Sequence, residues 1–118
     1  MAQTVLKHPR AVMSELKRDY QMTDEEEILA FLERHPAVAP LLVDIRSNIR
    51  KFFGEDSVRL EMFHDPEWPE EEAELLVNIE THIDAMEALD RLHRFDDDWW
   101  IKKLTESRYP LIVSIALV

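Results

Sequence analysis

A run of three aspartates, Asp96–Asp98, is the part of the sequence whose residue types most directly suggest chemistry. Carboxylate oxygens are the ligands that calcium and magnesium prefer, and His93 lies close enough in sequence to join them. Adjacent side chains on a helix point about 100° apart, however, so three consecutive aspartates do not all face one ion. The alternative is that Asp96 caps a helix whose first turn contains Asp97 and Asp98. Both interpretations stay open, and the metal-ligand candidates are Asp96, Asp97 and His93.

Other catalytic chemistries find no support in the sequence. The chain has no cysteine, which excludes thiolate nucleophiles, thiolate metal sites and disulfides. Its five histidines show no metal-binding spacing, and its serines lie in no nucleophile motif. The single glycine, Gly54, leaves no glycine-rich phosphate loop. We therefore predict no catalytic residues and no cofactor.

Tryptophan beside acidic residues marks a second kind of candidate, a protein-binding surface. Trp68 lies between two prolines in the acidic stretch Asp65–Glu74 and needs a cover from its own domain or from a partner. Trp99 and Trp100 are adjacent, so on a helix they point in different directions, and one can pack in the core while the other reaches an interface. Tryptophan is enriched at binding hot spots. The predicted interaction residues are Trp68, Trp100, Glu70, Glu71, Arg91 and Arg94.

The 118 residues carry a formal net charge of −11, and the excess is unevenly placed. Residues 1–60 hold nine basic and ten acidic side chains, whereas residues 61–118 hold five and fifteen. This balance argues against binding nucleic acid or an anionic membrane by charge attraction. The longest apolar run, at the C-terminal end of the sequence, is too short for a membrane helix. Together with the missing cysteines, this favours a cytoplasmic protein.

The length fits one domain with an additional N-terminal element. Approximate helical spacing of apolar residues predicts a helix over Thr4–Tyr20. We interpret residues 1–22 as an N-terminal helical arm and residues 23–118 as a single α+β domain.

Two further helices precede the first strand. One starts at Thr23, which forms a capping-box pattern with Glu26, and ends at His35 before a proline. The next runs over Pro40–Phe53 and ends at Gly54, where glycine is the expected cap.

The apolar period then changes to that of strands. Val58–Met62 and Leu75–Thr81 alternate between apolar and polar residues, as half-buried strands do. A helix capped by Asp84 follows, and Pro110–Val118 is apolar on both faces, which favours a strand in the middle of a sheet or one covered on both sides. We predict an α+β fold in which N-terminal helices precede a strand-strand-helix-strand unit, with a three-stranded sheet and helices packed mainly on one face.

The helix that Asp84 starts carries a pattern that resembles one in small uncharacterised prokaryotic proteins. Their pattern reads Ser-Pro-Glu-Glu-Ala-Leu-x-Arg-Leu-x-Arg-Phe-Asp-x-x-Trp-Trp. In this chain it is carried by Asp84, Glu87-Ala88-Leu89, Arg91-Leu92, Arg94-Phe95-Asp96 and Trp99-Trp100. Asp84 and Ala85 replace the family's Ser and Pro, and both keep a helix start. The resemblance covers about residues 40–101 and implies a recurring fold without a known activity.

Three functional hypotheses follow from these observations. The first is a small non-enzymatic protein-protein interaction module that binds a protein partner or forms a homodimer. The second is a metal-dependent hydrolase or metal-binding protein that uses Asp96–Asp98 with His64, Asp65 or His93. The third is an acidic, antitoxin-like neutralising partner of a basic protein, which only the net charge supports.

Overall fold

The computed structural model describes residues 9–118. In chain order its elements are α1 (Pro9–Asp19), β1 (Gln21–Met22), α2 (Glu25–Arg34), α3 (Val38–Phe53), β2 (Ser57–Phe63), β3 (Glu74–Thr81), α4 (Ala85–Phe95), a π-helical turn (Asp96–Trp100), α5 (Ile101–Glu106) and β4 (Leu111–Leu117). None of the helices in this range has the length and apolar character needed to cross a membrane.

The four strands form one mixed sheet in the order β1-β2-β3-β4. β2 and β3 are antiparallel, with Val58 opposite Ile79, while β4 runs parallel to β3 and β1 runs parallel to β2. The predicted α+β class is confirmed, but the predicted count of three strands is wrong. The additional strand, Gln21–Met22, is too short to show any alternation in the sequence.

The two faces of the sheet differ in burial. Side chains alternate along β3, so that Leu75, Val77 and Ile79 are fully buried while Leu76 and Asn78 on the opposite face stay partly exposed. The buried face packs into the same hydrophobic core as the helices. We call the opposite face the open face of the sheet.

The predicted N-terminal arm is part of the domain. Val12, Leu16 and Tyr20 are buried in the common core, and the Tyr20 hydroxyl donates a hydrogen bond to the carbonyl oxygen of Leu42. Residues 9–22 therefore do not form a separate arm, because α1 supplies apolar surface to the core and β1 joins the sheet. The predicted helix start at Thr4 lies outside the described residues.

Helix α2 begins one residue later than the capping box predicts. Asp24, not Thr23, is the N-cap: its side chain accepts a hydrogen bond from the Glu27 amide at 3.2 Å, and its φ is +58°. Asp84 is confirmed as the cap of α4 through a bond from the Met86 amide. Gly54 ends α3 as predicted, with a φ of +61°.

Helix α4 continues into α5 without a break. Asp96 has helical backbone angles, and its amide donates to the carbonyl oxygens of His93 and Leu92. The prediction that Asp96 caps a second helix is therefore wrong, and Asp96–Trp100 instead forms a π turn.

Strand β4 lies at one edge of the sheet. The expectation of a central strand is wrong, because β4 pairs only with β3 among the described residues. Residues 112–116 are partly exposed on both faces of the strand, so neither face is fully covered. The apolar run Leu111–Leu117 contains no charged residue, no proline and no glycine.

Candidate functional site

The loop between β2 and β3 presents Trp68 to solvent from a hydrogen-bonded turn. The Trp68 amide donates to the Asp65 carbonyl oxygen at 3.2 Å, and the Glu71 amide donates to the Trp68 carbonyl oxygen at 3.0 Å. The Asp65 side chain also accepts from the Glu67 amide at 2.9 Å. The Trp68 side chain is nevertheless 53% exposed. This turn, residues 64–73, is called the Trp68 loop below.

The Trp68 loop is tied to helix α2 at two points. Glu72 Oε1 lies 2.7 Å from His35 Nε2 and 3.1 Å from Arg34 Nε, at the C-terminal end of α2. His64 Nε2 lies 2.7 Å from Glu27 Oε2, in the first turn of the same helix. Seven helical residues separate the two attachment points, a rise of about 10 Å. The loop therefore runs along α2, and Trp68 lies midway between its two anchors.

The carboxylates of the Trp68 loop fall into two groups. Glu72 is paired, and its hydrogen bonds from His35 and Arg34 lower the pKa of its carboxyl group below the usual value. Glu67, Glu70 and Glu71 are exposed and have no ion-pair partner within residues 9–118. The loop consequently combines an exposed indole with free negative charge.

Arg91 and Arg94, the basic interaction candidates, are bound to their own helix. Arg91 pairs with Glu87 at 3.0 Å, and its Nη1 also donates to the Phe52 carbonyl oxygen at 3.2 Å, which links α4 to α3. Arg94 pairs with Asp90 one turn earlier, and this hydrogen bond raises the pKa of Arg94. Neither arginine lies against the Trp68 loop in these contacts.

Trp100 belongs to the core, which corrects its assignment as an interaction residue. Its side chain is 4% exposed and stacks on Phe95, with ring centroids 6.5 Å apart. Trp99 is partly buried and packs against the same ring at 6.0 Å. Phe95 occupies the centre of this aromatic cluster and is fully buried.

The aspartate run does not assemble a metal site. Asp97 and Asp98 are exposed, while Asp96 is partly buried, and this burial raises the pKa of the Asp96 carboxyl group. Across residues 9–118, no three histidine or carboxylate side chains converge in a way that could hold an ion. The candidates Asp96, Asp97 and His93 therefore form no ligand set in this structure.

Comparison with known proteins adds no further constraint. No protein-family model matches the chain, and no curated protein or solved structure is significantly similar to it. The resemblance of Asp84–Trp100 to small prokaryotic proteins stays a prediction.

Sequence reasoning found the Trp68 loop but missed the residues that anchor it. Arg34, His35 and Glu27 pair with residues about 37 positions further along the chain. The only local signal is the helix end, where the basic pair Arg34 and His35 occupies the last helical position and the C-cap. Nothing in the spacing indicated that the acidic loop lies against this helix.

Proposed function

We propose that this protein is a small, non-enzymatic interaction module that binds a partner protein through the Trp68 loop. The single observation that carries the proposal is a half-exposed tryptophan on a turn held at both ends. Exposing an indole forgoes the free energy of burying it, and tryptophan is among the residues that dominate binding energy at interfaces.

The anchors give the loop a defined shape before binding. A loop that is already ordered loses less conformational entropy when it docks, so more of the contact energy appears as affinity. The side-chain contacts of Glu72 and His64 with α2 hold the ends of the loop, and backbone hydrogen bonds at Asp65 and Glu71 hold its centre. Both support a preformed binding element.

The free carboxylates indicate the chemistry of the partner. Glu67, Glu70 and Glu71 surround Trp68 in sequence and are exposed. A complementary surface has an apolar pocket for the indole and a rim of lysine or arginine, because opposite charges guide the encounter and disfavour wrong partners. The predicted alternative of a neutralising partner for a basic protein is one case of this proposal. We also propose that the protein acts in the cytoplasm, in keeping with a sequence that lacks cysteine.

The proposal is tested with random peptides displayed on phage and selected against the immobilised full chain. We expect selected peptides to combine basic residues with a large apolar residue. Trp68→Ala should weaken their binding by about 30-fold, the equivalent of a hot-spot residue worth about 2 kcal/mol. Ile101→Ala is the matched control, since Ile101 is also about half exposed but lies in α5.

Two further results distinguish specific binding at the Trp68 loop from nonspecific binding of peptides. Replacing Glu70 and Glu71 by glutamine should weaken binding and flatten its dependence on salt, since fewer charges are screened. Selected peptides that bind wild type and Trp68→Ala equally, or a selection that enriches nothing, would contradict the proposal.

A further inference from the structure

The second feature that stands out is the free edge of β4, which lies on a different strand from the Trp68 loop. Within residues 9–118 no strand pairs with the outer side of β4. Proteins usually protect such edges with charged side chains, proline, bulges or very short strands. β4 has seven residues in unbroken register with β3 and carries none of these protections.

The hydrogen bonds to β3 show which backbone groups point outwards. The Leu75 amide donates to the Pro110 carbonyl oxygen, and the Val118 amide donates to the Thr81 carbonyl oxygen. In a parallel ladder alternate residues bond to the neighbouring strand, so residues 112, 114 and 116 also face β3. The amides and carbonyls of residues 113, 115 and 117 therefore point away from the sheet, as does the carbonyl of Leu111, whose amide donates to the Tyr109 carbonyl oxygen at 2.8 Å.

The sequence of β4 is nearly symmetric about its central residue, Ser114. Reading outwards, Val113 mirrors Ile115, Ile112 mirrors Ala116, and Leu111 mirrors Leu117. If two copies of β4 pair antiparallel, with a twofold axis between their Ser114 residues, apolar residues therefore lie opposite apolar residues. This pairing also sets Val113 opposite Ile115 of a second copy, and both have outward backbone groups that can bond to each other.

The distribution of charge and of exposed apolar side chains also favours the β4 edge as a contact surface. The chain carries a net charge of −11, so two copies repel each other over most of their surfaces, but β4 is uncharged. Of the seven exposed large apolar side chains among residues 11–118, five lie in the segment that runs from α4 to the C-terminal end: Met86, Leu89, Ile101, Leu117 and Val118. Helix α4 also packs against β4.

We infer that the β4 edge is a self-association surface, at which a second copy of this chain adds its own β4 antiparallel about Ser114. The two four-stranded sheets then form one continuous eight-stranded sheet. The pair uses backbone hydrogen bonds and apolar side chains, whereas the Trp68 loop offers an indole and carboxylates. Self-association at the β4 edge and partner binding at the Trp68 loop can therefore be tested independently.

Charge swapping at Ser114 tests the inference, with mass measured by multi-angle light scattering over a range of concentrations. In the proposed pair the two Ser114 side chains face each other on the open face, where like charges directly opposite destabilise a strand pair. We expect wild type at twice the chain mass of 14.0 kDa. Ser114→Glu and Ser114→Lys should each be monomeric, and their equimolar mixture should regain the dimer mass.

The matched control is Ser47→Glu, the same chemical change at an exposed site in helix α3, outside the sheet. It should remain dimeric. Circular dichroism and thermal unfolding confirm that each variant is folded, so that a monomer mass reports pairing and not loss of structure.

Amide hydrogen exchange gives a second readout at individual residues. In the dimer the outward amides of Val113 and Ile115 should be protected, and Ser114→Glu should remove that protection. The amides of Ile112 and Ala116, which face β3, should stay protected in both. A wild-type chain that remains monomeric at its highest soluble concentration overturns the inference. So does a dimer whose mass and exchange pattern are unchanged in Ser114→Glu.

Discussion

Two acidic segments of this protein contain tryptophan and differ in how far they bury it. The Trp68 loop and the π turn Asp96–Trp100 both place tryptophan among carboxylates. In the π turn Trp100 is 4% exposed, while Asp97 and Asp98 face solvent. In the loop Trp68 is 53% exposed. Composition therefore does not decide which tryptophan is available for binding.

The difference comes from periodicity. A helical segment separates its side chains into faces, so that carboxylates reach water while the indoles pack on Phe95. The loop has no repeating face, and its backbone follows a turn between two prolines whose ends are tied to α2. The aromatic residue at the centre of this turn, Trp68, is covered only in part by its own domain. This is why the loop, and not the π turn, is the candidate surface.

The largest expected contrast between the two segments is in stability. Trp100→Ala removes a buried ring from the core, so we expect the free energy of unfolding to fall by about 3–5 kcal/mol. Trp68→Ala removes an exposed ring, and we expect a change within about 0.5 kcal/mol. Urea unfolding followed by far-ultraviolet circular dichroism measures both.

A second variant keeps this comparison measurable if Trp100→Ala does not fold. Trp100→Phe retains part of the ring contact with Phe95 and should lose less stability than the alanine variant. A loss above about 1 kcal/mol for Trp68→Ala would mean that the indole packs against its own domain, because surface substitutions rarely cost so much.

The second contrast is in the pH dependence of stability, which has opposite signs for Glu72 in the Trp68 loop and Asp96 in the π turn. Hydrogen bonds from His35 and Arg34 lower the pKa of Glu72. Its pairing therefore supports the folded loop above the pKa of glutamate in the unfolded chain, near 4.5, and this support is lost as the pH falls through the lower pKa of the folded state. Glu72→Gln should release the loop at neutral pH, since the amide replaces the ion pairs with at most weak hydrogen bonds.

Hydrogen exchange of the amides of Trp68 and Glu71 measures this release. Both amides close the turn, so we expect their exchange to accelerate severalfold in Glu72→Gln. Glu71→Gln is the control, because Glu71 is exposed and has no ion-pair partner in the described part of the chain. Equal exchange rates in the two variants would show that Glu72 does not anchor the loop.

The fold was predictable where a period is long enough to be read. The alternation in Val58–Met62 and Leu75–Thr81 predicted two strands, and the loop between them was located correctly. The position of β4 was not, because an edge strand and a central strand can share the same apolar sequence, and strand order depends on long-range pairing. The π turn was not predictable either, because an aspartate within a continuous helix has the same sequence signature as an aspartate that caps one.

The candidate site was predictable only in part, for the same physical reason. Trp68 and its neighbouring glutamates stand out in the sequence because proline and acidic residues mark an exposed turn. The pairing of Glu72 with Arg34 and His35 joins residues that only the sheet and α2 bring together. Burial of Trp100 likewise depends on where α4 lies against the core.

A smaller effect is expected at Asp96, whose pKa is raised mainly by burial. A raised pKa means that the folded state favours the protonated form. The contribution of Asp96 to stability is therefore fully present below its unfolded pKa, near 3.8, and is lost as the pH rises through the higher folded value. Asp96→Asn should stabilise the protein at neutral pH by at most about 0.5 kcal/mol.

The control for this prediction is Asp98→Asn, which removes the same charge from an exposed position in the same turn. It should leave the unfolding free energy unchanged. Thermal unfolding at neutral pH and below pH 3.8 makes the comparison, and the gain from Asp96→Asn should disappear at the acidic pH. A gain that persists there would contradict a burial cost of the ionised form.

The smallest effect concerns the electrostatic surroundings of Trp68, probed by fluorescence quenching. Free carboxylates attract caesium and repel iodide, so replacing Glu67, Glu70 and Glu71 by glutamine should change the quenching by each ion by about twofold in opposite directions. Acrylamide is neutral and should quench both forms equally, which controls for a change in exposure. Trp99 and Trp100, which are partly or fully buried, contribute a background that Trp68→Phe measures directly. If the substitutions change acrylamide quenching as well, the glutamates affect the conformation of the loop and not only its charge. The contrast with the π turn then lies in the order of the backbone and not in charge.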